Sequence, residues 1–207
     1  MNRRGVYAQS TWNRLFTSCA AFAVALLGQS SPSSAAAESV NQYLDETTAA
    51  TITVTTEPLI FARERTDLAV NARDYISIAP LEVNRAGSRT YYWFAYIWST
   101  IDKRNDEPSA TSDDQVVLLA DDRAMVLRRD TRSPRQLGIA KSPIEAPVRG
   151  AVAMVFSAEP EAFDYVALSS ELQMQLVRGG HNDDFPLWRD GRAAMRAFVQ
   201  FLNGGGR

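Results

Sequence analysis

The chain has 207 residues, of which 45% are apolar and 22% charged, with a formal net charge of −2. Such values belong to an ordinary globular chain and exclude coiled-coil, collagen-like and fully disordered classes. A single Cys and a single His leave no intramolecular disulfide, no Cys-based zinc cluster and no site that needs two imidazoles.

The first 37 residues read as a secretory signal. Arg3, Arg4 and Arg14 supply positive charge, no acidic residue precedes Glu38, and an apolar run follows from Cys19 to Leu27. That run is too short to span a bilayer, which takes roughly 20 apolar residues. Ala35 and Ala37 are the small residues a signal peptidase requires, so the cut is expected after Ala37. Cys19 opens the apolar run rather than closing it, which argues against lipidation. Removing 37 residues, three of them basic, leaves 170 residues with 19 basic and 24 acidic groups, a net charge of −5. A chain of that size buries enough surface to stand on its core alone, and its negative charge argues against nucleic-acid binding. Export places it in the periplasm, with no membrane span once the signal is removed.

Residues 38–50 are polar and read as a poorly ordered lead-in to a single β-rich domain over 51–207. Thr51 to Thr56 alternates, with Ile52 and Val54 on one face, and the strand is expected to run on past Pro58 to Phe61. Arg63 to Arg73 is a charged loop. Asp74 to Val83 is a strand whose apolar phase slips after Pro80, which predicts a bulge there. Asn84 to Ser88 is a turn, and Thr90 to Ile101 returns as the second arm of a hairpin. Asp102 to Asp114 is a polar loop. A second hairpin spans Gln115–Ala120 and Ala124–Arg129 around Asp121 and Asp122. Thr131 to Pro147 is irregular, Val148 to Ser157 a strand, Ala158 to Ala162 a turn and Phe163 to Leu168 another strand. Residues 169–177 fit helix or strand equally. Gly179 to Asp184 is a turn, Phe185 to Trp188 a short strand, and 190–202 a helix with Asp190 as its N-cap. Seven or eight short antiparallel strands and one C-terminal helix predict an all-β domain, a sandwich or a partly open barrel.

The densest feature is the run Tyr91 to Trp98. Alternation puts Tyr92, Phe94, Tyr96 and Trp98 on one face and Tyr91, Trp93, Ala95 and Ile97 on the other. Such a strand is either a central one buried on both sides or one that presents an aromatic row to a sugar or a protein. Arg128, Arg129, Arg132 and Arg135 form a basic cluster, either a solvated rim or a contact for an anionic surface. His181 with Asp183 and Asp184 is a thin basis for a metal site, and no cofactor fingerprint or nucleophile elbow is present. The acidic pairs Asp113–Asp114 and Asp121–Asp122 fit turn geometry.

The stretches Tyr43–Glu46, Phe61–Arg63, Asn71–Tyr75, Glu82–Arg85 with Gly87, and Trp98–Asp102 resemble those of uncharacterised exported proteins of proteobacteria. The resemblance covers residues 43–102 and implies a Gram-negative cell envelope. It brings no assigned catalytic or binding residue. Taken together, these features point to a non-enzymatic binding or assembly module that meets an envelope protein or cell-surface component. A small-ligand or glycan binder using strand 91–98 is the alternative, and an enzyme of unidentified type the third.

Overall fold

The computed structural model describes residues 39–101 and 115–204, which belong to one compact unit. The expected signal segment and Asp113–Asp114 lie outside those residues. Among these described residues there are ten strands: β1 (Val40–Asp45), β2 (Ala50–Thr55), β3 (Leu59–Glu64), β4 (Arg73–Arg85), β5 (Ser88–Ser99), β6 (Gln115–Ala120), β7 (Arg123–Arg129), β8 (Val152–Ala158), β9 (Leu172–Arg178) and β10 (His181–Arg189). Three helices are described among them: α1 (Pro134–Leu137), α2 (Pro160–Leu168) and α3 (Arg192–Asn203). All pairings are antiparallel, and β4–β3–β10–β9–β6–β7–β8–β5 closes back on β4 as an eight-stranded barrel.

The long strand β4 organises this closure. One edge pairs with β5 along its whole length, from Asp74↔Ser99 to Arg85↔Ser88. The other edge is shared. Arg73 to Ile78 pairs with β3, and Leu81 to Asn84 pairs with β2. Ala79 and Pro80 fall at the changeover, where no ladder partner waits on that edge, so a proline is tolerated there. The register against β5 is unbroken, and the expected bulge at Pro80 is absent. The phase slip has a different cause. Ile76 and Ile78 point into the barrel, while Ala79, Leu81 and Val83 join a second core outside it. Residues 76–83 of β4 are buried on both faces, but the apolar side chains enter the barrel core at Ile76 and Ile78 and the outer core at Ala79, Leu81 and Val83.

The barrel interior is filled by side chains, as an eight-stranded barrel permits. Leu59, Phe61, Trp93, Leu118, Met154, Phe156, Met174 and Phe185 belong to this cluster. One end is closed by α2 and α3. Phe163 of α2 meets Trp93 edge-on at 4.6 Å and Phe198 of α3 at 5.7 Å. The segment expected as strand 163–168 is thus a helix. Pro160 sits in its first turn, and Phe163, Val166 and Ala167 share a buried face at helical spacing. Its last carbonyls are capped from α3. Arg196 Nη1 donates to Ala167 O at 3.1 Å, and Arg192 Nη1 to Ser170 O, just beyond the helix, at 2.9 Å. The N-cap is Gly191, one residue later than the expected Asp190, whose Oδ1 accepts from the Arg192 backbone N–H at 2.9 Å from just outside the helix.

The second core lies on the outer surface of β4 and β5. Ile52, Val54, Leu81, Val83, Tyr92, Phe94 and Tyr96 are covered by Leu137, Ile139 and Ile144 of the connection between β7 and β8. This connection is pinned at Asp45, whose Oδ2 accepts from the Ala140 N–H at 2.7 Å, and at Thr48, whose hydroxyl donates to Gly138 O at 2.7 Å. The expected lead-in 38–50 is therefore corrected. Its polar residues form β1, an outermost strand, and the turn that holds this connection. Of the stretch left open at 169–177, Leu172 onward is strand β9, and β9 turns into β10 through Gly179 and Gly180, both at positive φ. The expected turn 179–184 is only these two residues long, because two left-handed positions match the strand twist in a tight hairpin. The strand expected through 51–61 is likewise two strands, broken at Glu57–Pro58.

Candidate interaction face

The most distinctive surface is built around residues 65–73. Arg65 is 6% exposed. Its Nη1 reaches Asp74 Oδ2 at 3.0 Å, and its Nε and Nη2 grip the Asp67 carboxylate at 2.9 Å each. Backbone bonds from Arg65 N to Ala72 O at 2.8 Å and from Ala72 N to Ala69 O at 3.1 Å close the loop on itself. Asn71 takes the left-handed conformation at φ 72°, which Asn tolerates better than most side chains. The arginine beside Asp67 holds that carboxyl below the usual carboxylate range.

Beside its exposed polar residues Thr66, Asp67 and Asn71, this anchored loop offers apolar side chains to solvent. Val70 is 89% exposed and Leu68 46%. Val70, Asn71, Ala72, Arg73, Glu64 and Thr66 line a shallow cleft of about 180 Å³. Arg73 links the cleft to a row of rings on the outside of the barrel. Its guanidinium lies 4.4 Å over the Trp188 ring and is held by Glu64 Oε1 at 3.0 Å. Bonds to Glu64 and Tyr75 raise its pKa. Tyr75 in turn stacks on Trp98, with centroids 5.0 Å apart and planes 9° from parallel. Trp188 is 55% exposed. The stripe Trp188–Arg73–Tyr75–Trp98 thus runs across β10, β3, β4 and β5 and meets the Val70 loop at Arg73.

Behind the loop, charged residues continue the inward rows of the barrel at its end opposite the helices. Arg63 follows Phe61, Asp74 precedes Ile76, and Asp183 precedes Phe185, each by two residues. Arg63 pairs with Asp183 across the β3–β10 seam and lies 5.7 Å over the Phe185 ring. This layer closes the end of the core with paired charges.

The residues singled out in the sequence are distributed differently. Tyr92, Phe94 and Tyr96 are buried beneath the connection that carries Leu137 and Ile139, because both faces of β5 are covered. Trp98 is half-buried and belongs to the stripe. Arg132 is closed on Asp130 by two bonds, at 3.0 and 2.6 Å, which raise its pKa and lower that of Asp130. Arg128 and Arg129 are neighbours on β7 and so point to opposite faces. Arg135 sits on α1, where its carbonyl accepts from Arg85 Nη2 at 3.4 Å. The four arginines therefore do not share one surface. Asp184 accepts from Gln175 Nε2 at 2.8 Å, His181 lies at the β9–β10 turn, and Asp121 Oδ1 accepts from the Ser170 and Glu171 N–H groups.

Sequence reasoning passed over Val70, Arg73 and Trp188. Its one available signal was a loop rich in paired charges, 63–74, that nonetheless carries Leu68 and Val70. Among the described residues no helix is long and apolar enough to cross a membrane. Comparison with protein-family models, with curated proteins and with solved structures finds no match.

Proposed function

We propose that this chain is a non-catalytic interaction module of the periplasm. Its contact face is the 65–73 loop together with the stripe from Trp188 to Trp98, and its partner is another envelope protein. The observation that carries this reading is the pairing of a rigid anchor with an apolar tip. Arg65 is buried and spends its donors on holding a loop whose outermost side chain is Val70. A large exposed apolar group on a fixed loop, beside an exposed Trp, is how protein surfaces present a contact point. An Arg stacked on Trp adds a desolvatable rim of the kind enriched at interfaces.

A photo-crosslinking residue at position 70, and separately at 188, is expected to yield one discrete adduct in envelope preparations. The same residue at Val126, 54% exposed on β7, is expected to yield none. Val70→Asp should abolish the adduct formed at 188 without moving the thermal midpoint. Absence of a discrete adduct at either position, or an adduct indifferent to Val70→Asp, refutes the reading. The stacked rings also favour a second reading, a glycan laid along Trp188 and Trp98. A glycan contact would survive Val70→Asp and fail with Trp188→Ala.

A further inference from the structure

β1 ends the sheet. It pairs with β2 on one edge, and among the described residues no strand follows it on the other. The phase of its ladder is fixed by the bond from Thr56 N to Ser39 O at 3.0 Å and by the unbroken register from Val40↔Thr55 to Asp45↔Ala50. In an antiparallel pair, residues alternate between bonding the partner with both backbone groups and turning both away. Ser39, Asn41, Tyr43 and Asp45 therefore face β2. The N–H and C=O groups of Val40, Gln42 and Leu44 face outward.

Native sheets protect such an edge with Lys, Pro, a bulge or a covering element. β1 carries no Lys and no Pro, its register has no bulge, and Leu44 at its end is 62% exposed. Its only charged side chain, Asp45, is occupied by the Thr47 and Ala140 N–H groups.

We infer that the free edge of β1 pairs antiparallel with β1 of a second copy of this chain, across a twofold axis at Gln42. In that register Val40 lies opposite Leu44 of the partner subunit, and Gln42 opposite Gln42 of the partner subunit. All three outward residues of each copy then exchange both backbone bonds. Two apolar pairs form, and no like charges meet, since Asp45 falls opposite Ser39 of the partner subunit. Displacing the register by two residues leaves at least one outward residue of each strand unpaired. Antiparallel pairing about Gln42 makes each contact occur twice, Val40 to Leu44 and Leu44 to Val40, as an isologous interface requires. Joining six-residue edges buries less surface than the roughly 1,600 Å² of a standard interface, so the dimer exchanges with monomer.

Sedimentation of the purified protein should show its mass rising from one chain to two as concentration is raised from about 1 µM to about 1 mM. Gln42→Pro removes an N–H that points away from β2, so it should leave the far-UV spectrum intact and abolish the rise. Gln42→Lys and Gln42→Glu place like charges against each other at the axis and should each remain monomeric. Mixing these two should restore the two-chain mass. Monomer at every concentration of the native chain overturns the inference. So does a dimer that persists in folded Gln42→Pro, or a Lys–Glu mixture that stays monomeric. The last result decides the matter even where the proline variant fails to fold. None of these outcomes bears on crosslinking at position 70, which lies on a different strand connection.

Discussion

Trp93 and Phe94 are neighbours on β5 and enter different cores, which makes them a sharp test of a strand buried on both faces. Trp93 is 1% exposed and packs edge-on against Phe163 inside the barrel. Phe94 is 2% exposed and packs edge-on against Tyr96, at 5.3 Å, beneath Leu137 and Ile139. Truncating a buried Phe or Trp to Ala costs about 3–5 kcal/mol, because the transfer free energy is lost and the cavity stays open. Each ring pair adds about 0.5–1.5 kcal/mol. Trp93→Ala and Phe94→Ala are each expected to remove about 3–5 kcal/mol, a large fraction of a net stability of about 5–15 kcal/mol. Urea unfolding followed by far-UV circular dichroism reads this directly. A loss below about 1 kcal/mol in either variant shows that its face of the strand is not packed, and the two-core description fails. Where an alanine variant does not fold, Trp93→Phe and Phe94→Leu give smaller losses of the same sign. A double-mutant cycle between Trp93 and Phe163 should return a coupling of about 0.5–1.5 kcal/mol.

Gly191 leaves no room for a side chain, since a Cβ there would lie 2.7 Å from the Glu57 and Pro58 carbonyl oxygens. Gly191→Ala should therefore cost about 1–3 kcal/mol in the same unfolding assay. Asp45 is held below the usual carboxylate range, chiefly by the Ala140 N–H. Its stabilising contribution is present at neutral pH and is lost as pH falls through its folded-state pKa. Asp45→Asn should lower the thermal midpoint at pH 7 and flatten its decline towards pH 3. Glu82 has the opposite sign, because burial raises its pKa and the Arg89 guanidinium at 3.2 Å only partly offsets this. Its ionised form weighs against folding above the unfolded pKa, and that burden lifts in acid. Glu82→Gln should raise the thermal midpoint at pH 7, with the difference closing as pH falls; an unchanged midpoint would show that the ion pair fully balances burial.

The antiparallel hairpin of β4 and β5 was legible because period-two alternation and an Asn-to-Ser turn point the same way. The helix α2 was not. Phe163, Tyr165 and Ala167 alternate as well as any strand, and only the tertiary requirement to plug a barrel selects the helical face through Phe163, Val166 and Ala167. Pro160 was the available clue. β1 was missed for a related reason. An outermost strand with one wet edge needs few apolar residues, so its composition matches that of a disordered lead-in. The proposed contact face escaped because its parts are far apart in the chain. Trp188 and Arg73 are joined only when β10 lies beside β3, and no spacing in the sequence records that neighbourhood. The inward charges left a trace that could have been followed, since Arg63, Asp74 and Asp183 stand in phase with buried apolar residues.

The barrel is not equally strong around its circumference. β10 meets β3 through the ladder pairs Leu187↔Phe61 and Arg189↔Ile60 and the Arg63–Asp183 ion pair, and β7 meets β8 through Arg128↔Ser157, Arg129↔Phe156 and the bond from Asp130 N–H to Val155 O at 2.8 Å, whereas β4 and β5 share twelve ladder pairs. Two weak corners on opposite sides divide the ring into one leaf of β3, β4, β5 and β8 and another of β7, β6, β9 and β10. Breathing at these corners would turn the closed barrel into two facing sheets without breaking either ladder. Amide protons at the corners should then exchange with solvent through a partial opening, while those along β4 and β5 wait for the whole molecule to unfold. If the corners open in this way, a sandwich is the form this barrel would pass through as it unfolds.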